Sequence, residues 1–338
     1  MSTTTEPTPA TPALPYPEHD KLGPLGVKTS AVSDPVALRS VLVRAFEAAA
    51  HGAREAVGAV DKDAATAVHE SRKSLRRARA VLALLGPALP KSERRALTSA
   101  LKEARRALSS VRDHAVAPET LGQLALDDED RATATQVLAN AAAAMPAISE
   151  IRQLLGESAA RAAAQAEALQ AALPQDVDWE TVTRGLRSTY AEARRASRAA
   201  KRSKTWFHAW RRRSKELAYQ LELIAEQAGP RTAELHAELT AVTDTLSPAV
   251  DLIMIREFVT TFDQGVAPEA IARLRTSIGD QLRDAMKSAR KVTRGAFRKN
   301  AKKLEKRLAK AVRRDLAPID DHGDDASVTD ERKSDLPQ

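Results

Sequence analysis

One pattern of residues occurs twice along this chain, and the interval between the copies limits its architecture more than any other feature. His69-Glu-Ser-Arg72-Lys73-Ser-Leu-Arg76-Arg77 and His208-Ala-Trp-Arg211-Arg212-Arg213-Ser-Lys215 both follow His-x-x-Arg-(Lys/Arg)-x-x-(Arg/Lys), and they lie 139 residues apart. A second pair, Leu108-Ser109-x-x-x-Asp113 and Leu246-Ser247-x-x-x-Asp251, recurs at an offset of 138. Two spaced motifs at almost one offset predict two similar halves, 35–174 and 177–317.

The halves are expected to be all-α. Aromatics are 3% and Gly 13 of 338 residues, which starves strands of the β-branched and aromatic residues they favour. Ala, Leu, Arg, Glu and Lys are abundant, and these form helices readily. Helices are predicted over 35–60, 63–86, 91–111, 129–173, 178–202, 205–228, 231–247 and 250–263, with a long basic stretch over 268–316. Pro87, Pro90, Pro118, Pro174, Pro230, Pro248 and Pro268 mark breaks or first turns, and Pro146 should kink or split the helix it falls in. Asp63 and Ser92 read as N-caps, and Gly86-Pro87 as a stop. A helix-only chain of this length predicts bundles.

Charge is unevenly placed. The Thr/Pro-rich residues 1–34 read as a disordered lead of net −2, and 318–338 as an acidic disordered tail whose last twenty residues carry net −5. The chain as a whole is +8, so 35–318 carries +15, which implies a polyanionic partner. With no Cys there is no disulfide framework, thiolate metal site or cysteine nucleophile. No segment reaches the roughly 18 apolar residues of a membrane span, and Met1–Asp20 lacks the basic and apolar regions of a signal peptide, so a cytoplasmic location is expected.

The spacing of the repeated motif has a geometric consequence. At about 100° per residue, Arg72, Lys73 and Arg76 fall within roughly 60° of His69 on the helix surface. His208, Arg211, Arg212, Lys215 and Tyr219 form the same stripe. Solvated faces ordinarily mix Glu with Lys, as Glu305-Lys306-Arg307 does, whereas these stripes are nearly pure cation plus His. Like charges at i,i+4 repel, and building the arrangement twice is sensible if an anion occupies it. Arg supplies a planar donor fork for phosphate oxygens and Lys a mobile point charge. Arg187, Arg194, Arg198 and Arg202 recur at helical spacing before His208, with Tyr190 among them, and could extend the surface. Arg283, Lys287, Arg290, Lys291, Arg294, Arg298 and Lys302 track one side of the last predicted helix.

The two stripes resemble the signature of the conserved histidine α-helical domain, the CHAD family. His69, Arg72, Arg76, Arg77 and Arg79 match its first motif, and His208, Arg211, Arg212, Lys215 and Tyr219 its second. Leu108-Ser109-Ser-Val-Arg112-Asp113 resembles the family's Leu-Gly-x-x-Arg-Asp turn with Ser for Gly, while the second copy has Val250 in place of the Arg. The resemblance spans 35–317 and implies two four-helix subdomains related by a pseudo-twofold around a basic channel. It also implies binding of inorganic polyphosphate and a place on polyphosphate granules. Many relatives carry a CYTH triphosphatase domain, which needs strands and an ExExK-type motif; the residues before position 35 do not hold one, so a stand-alone, non-catalytic member is expected.

A linear polyphosphate is therefore expected between the stripes, with no cofactor, no metal and no catalytic residue. Neighbouring cations should depress the pKa of His69 and His208 when the site is empty, and a bound polyanion should raise it. Nucleic acid is the secondary partner class, disfavoured by the scarcity of aromatic stacking platforms. A His-dependent phosphotransferase is a further rival that lacks a general acid and a phosphate-loop apparatus: Gly23-Pro-Leu-Gly26-Val-Lys28 misses the required spacing. Asp127-Asp128-Glu129-Asp130 reads as a solvated loop and helix start rather than a Mg²⁺ site, and the acidic tail or the 283–314 stretch could recruit granule proteins.

Overall fold

The computed structural model describes residues 35–201, 203–224, 230–293, 295–298 and 300–315. Both expected tails, Arg202 and Arg294 lie outside them. Among the described residues there are eleven α-helices and no strand: α1 Pro35–Gly58, α2 Ala64–Leu85, α3 Lys91–Ala107, α4 Ser109–Gly122, α5 Asp128–Ala143, α6 Ile148–Ala172, α7 Trp179–Ala199, α8 Lys204–Ile224, α9 Pro230–Thr261, α10 Pro268–Val292 and α11 Ala301–Asp315.

Local chemistry sets many of these limits. Asp63 caps α2 by accepting the Thr66 N–H at 3.0 Å, and α2 stops at Leu85, because Pro87 has no N–H to continue the ladder. Asp127 caps α5 and Asp178 caps α7 in the same way. Ser92 does not cap: α3 begins one residue earlier, after Pro90, whose fixed φ already suits the entry. Pro146 splits the predicted 129–173 helix into α5 and α6.

Four boundaries differ from the sequence expectation. The expected helix 91–111 ends at Ala107, and α4 then runs on to Gly122 through residues where no helix was expected. Pro118 and Pro248 lie inside α4 and α9 rather than ending a helix. A proline forfeits one ladder bond, and α9 tolerates this because it is held by α8, α10 and α4. Conversely, the basic stretch 268–316 is two helices. The turn between them turns Phe297 inward, 7% exposed, against Tyr190 at 5.4 Å and Trp210 at 6.4 Å between ring centroids. Burying an aromatic ring outweighs continuing a solvated helix. The cations from Arg283 to Lys302 therefore do not form one stripe.

α1 packs on α2 and α6, and α3 on α2 and α6; α7 packs on α8 and α11, and α9 on α8 and α10. Contacts of α2 with α7 and α8, α4 with α9 and α5 with α10 join the two parts of the chain. Gly185 of α7 sits against α2 so closely that a Cβ there would lie 2.3 Å from the Leu84 carbonyl oxygen. Gln220 of α8, fully buried, donates to the Ala80 carbonyl and the Thr189 hydroxyl, both at 3.1 Å, tying α8 to α2 and α7. The two stripe-bearing helices, α2 and α8, are thus fixed side by side.

Candidate functional site

A cavity of about 940 Å³ opens between α2, α3, α4, α8, α9 and α10. Eleven Arg and Lys side chains line it against three carboxylates, Asp113, Glu216 and Glu257. Of the residues the sequence singled out, the structure brings eight together here: Arg72, Arg76, Arg79, Arg112, His208, Arg211, Arg212 and Lys215. Both stripes therefore contribute to one cavity.

Six others lie elsewhere. His69 is exposed outside the cavity wall. Lys73 is turned inward, 8% exposed, and pairs with Glu70 at 3.4 Å. Arg77 approaches Glu222 at 3.9 Å and covers the Tyr219 ring. Arg187 pairs with Glu305 of α11 at 3.1 Å. Arg194 donates to the Phe297 carbonyl at 3.2 Å, and with Arg198 it borders a separate shallow depression on α7. In place of these, Arg105, Lys204, Arg256 and Arg275 join the cavity. They belong to no copy of the repeated motif, so no spacing signal marked them.

The repeated serines hold the repeated arginines. Arg72 is 6% exposed and donates from one Nη to the Arg105 carbonyl and the Ser109 hydroxyl, both at 3.0 Å. Arg211 donates from Nε to the Ser247 hydroxyl at 2.9 Å. Ser109 and Ser247 are the matched positions of the second motif, and each fixes the matched Arg of the first. Arg112 does something different. It donates to Asp113 at 3.0 Å and to Asp251 at 2.8 Å, joining the two repeat-related carboxylates and bracing α4 against α9. Burial would lower its pKa, but Asp251 and Asp113 prevail and raise it.

Elsewhere the cations are not balanced. Burial, followed by repulsion from Arg76, Arg105 and Arg112, pushes Arg72 down to about 9. Burial with Arg76, Arg79, Arg212 and Arg112 takes Arg105 to about 10. Both remain charged at neutral pH. The His208 ring is reached by solvent from the cavity, yet the protein packed around it, together with Arg212, Arg211, Arg105 and Arg112, pushes its pKa down to about 4. The ring is neutral at neutral pH. The Nε atoms of Arg72, Arg79, Arg105, Arg256 and Arg275 are buried without a hydrogen-bond acceptor. A buried charged donor without an acceptor is costly.

The acidic run starts α5 as expected, but it is not wholly solvated. Asp130, 1% exposed, accepts from Arg273 at 3.2 Å and from Ser277, fastening α5 to α10. No cluster of three or more metal-ligating side chains exists among the described residues. None of the described helices is long and apolar enough to cross a membrane.

No curated protein matches the chain significantly. The crystal structure of the CHAD domain from the plant Ricinus communis is similar, with a TM-score of 0.56 at 19% identity over 82% of this chain and 93% of that one. The CHAD domain family model matches residues 43–260, which run from α1 through α9 and carry both cationic motifs and both serines. The chain belongs to the CHAD family.

Proposed function

We propose that this protein binds inorganic polyphosphate in the cavity between α2 and α8, as a non-catalytic binding protein on polyphosphate granules in the cytoplasm. The observation that carries the reading is the convergence of eleven Arg and Lys side chains, from both stripes and from further helices, on one cavity, against three carboxylates. A linear phosphate chain offers acceptor oxygens and charge on every unit. It would relieve the mutual repulsion that, after burial, depresses Arg72, Arg105 and Arg212. Carboxylates of the protein fill this role at Arg112 and Arg213, so the same fold satisfies its cations internally where no ligand is needed.

The test is competition at equal total phosphate. Labelled long-chain polyphosphate should be displaced by unlabelled polymer and poorly by duplex DNA. Stronger displacement by DNA would transfer the site to nucleic acid, against which the cavity lining offers Tyr219 but neither Trp nor Phe. Phosphate release above blank during the same incubation would overturn the non-catalytic assignment. A fluorescent fusion spread evenly through cells that contain granules would overturn the location.

A further inference from the structure

The cavity has a wall that a bare phosphate chain cannot use. Val250, Ile253, Met254, Glu257 and Thr261 of α9 all line it. Their spacing of i, i+3, i+4, i+7 and i+11 puts them on one helix face. Ile253 and Met254 are only partly buried, their inner sides packed on the core and their remainder left to the cavity. Next along the face comes the exposed Glu257, a carboxylate that repels phosphate but accepts hydrogen bonds from neutral hydroxyls. The cations, by contrast, come mainly from α2, α3, α4, α8 and α10, with Arg256 the one contribution from α9. The cavity is therefore divided by chemistry: guanidiniums and ammoniums on most sides, and an apolar strip ending in a hydroxyl acceptor along α9. Two half-open apolar side chains, Ile253 and Met254, beside eleven cations add nothing to the binding of a pure polyanion.

We infer that the α9 wall receives the base and sugar of a nucleoside 5′-polyphosphate, whose phosphates lie on the cations. Ile253 and Met254 pack against the flat face of the base, and Glu257 accepts from the sugar hydroxyls. The inference rests on the proposed phosphate-chain site. The size suits it, since a cavity near 940 Å³ lies at the upper end of the range for small-molecule sites.

The experiment compares inorganic tetrapolyphosphate with adenosine 5′-tetraphosphate, titrated calorimetrically into the full-length protein at one salt concentration without divalent metal. The nucleotide should bind about tenfold tighter, the factor that burying about 55 Å² of apolar surface supplies. Met254→Gln should erase that advantage while the inorganic chain binds the variant as it binds the native protein, which also shows that the variant is folded. Arg105→Gln should weaken both ligands alike. Equal affinities in the native protein, or a nucleotide advantage that survives Met254→Gln, would overturn the inference and leave the phosphate-chain reading standing. Failure of both ligands and of long polymer to bind would bring down the reading itself.

Discussion

His208 carries a pH signature with a definite sign. Its pKa is about 4 in the folded chain, against roughly 6.5 in an unfolded one. In the free protein the folded ring is neutral where the unfolded ring is charged, so stability is full above the unfolded value. It is lost progressively as pH falls from about 6.5 towards the folded value. A bound polyanion reverses the local field and raises the pKa. Binding then takes up a proton, and affinity strengthens as pH falls below about 6.5. Calorimetry in buffers of different ionisation enthalpy should show this uptake, and His208→Gln should flatten the profile. An unchanged profile in the variant would remove His208 from the site. Arg105 makes the complementary point. It is held among cations at the expense of the folded state. Arg105→Gln should leave the free protein as stable or slightly more stable in urea, while weakening long-chain polyphosphate binding by roughly tenfold, about 1.4 kcal/mol. Loss of both stability and affinity would make its role structural.

Helix contacts decide whether such side chains meet. Gly185 lets α7 lie on the backbone of α2, and α2 carries Arg72, Arg76 and Arg79. Gly185→Ala places a methyl 2.3 Å from a carbonyl oxygen that belongs to rigid helix backbone, so the helices must part. The cost should be about 3 kcal/mol in equilibrium unfolding, and polyphosphate affinity should fall with it because α8, packed on α7, is carried away from α2. Phe297 acts on the other side of α7. Phe297→Ala should cost about 3–5 kcal/mol, by emptying the space between Tyr190 and Trp210. Helix existence followed from composition and periodicity, and α2, α7 and α8 fall close to their predicted limits. The departures share one cause. α9 runs through the exposed Pro248 because α8, α10 and α4 hold the helix on either side of it, and Phe297 between α10 and α11 is buried against Tyr190 and Trp210; these partners are distant in sequence.

Across the whole molecule the charges act together. Residues 35–318 carry a net +15, and eleven of their Arg and Lys side chains line the cavity. If phosphate chains displace counterions there, log affinity should fall linearly with log salt, and each cation removed by substitution should reduce the slope by about 0.7–0.9. A salt-independent affinity would be inconsistent with a cation-lined site. Long chains should also bind far more tightly than pyrophosphate, because each further unit meets another cation without a second cost of association. Equal affinity for the two would reduce the cavity to a single-phosphate site.

The sequence by itself determined that the chain is helical, that its basic residues are concentrated between the ends, and that two cationic motifs and two serines recur at matching intervals. These are properties of local propensity, formal charge and spacing, and they need no knowledge of the fold. The recurrence even paired the right partners, since Arg72 meets Ser109 and Arg211 meets Ser247. Only the tertiary structure decided which cations share a cavity. His69 and Arg77 sit in the same motif as Arg72 but turn elsewhere. Arg105, Arg256 and Arg275, from three other helices, come in. Arg112 is neutralised by the carboxylate of a residue 139 positions away. Burial and charge balance are set by neighbours across helix interfaces, and those neighbours are fixed by how closely α2, α7 and α8 pack.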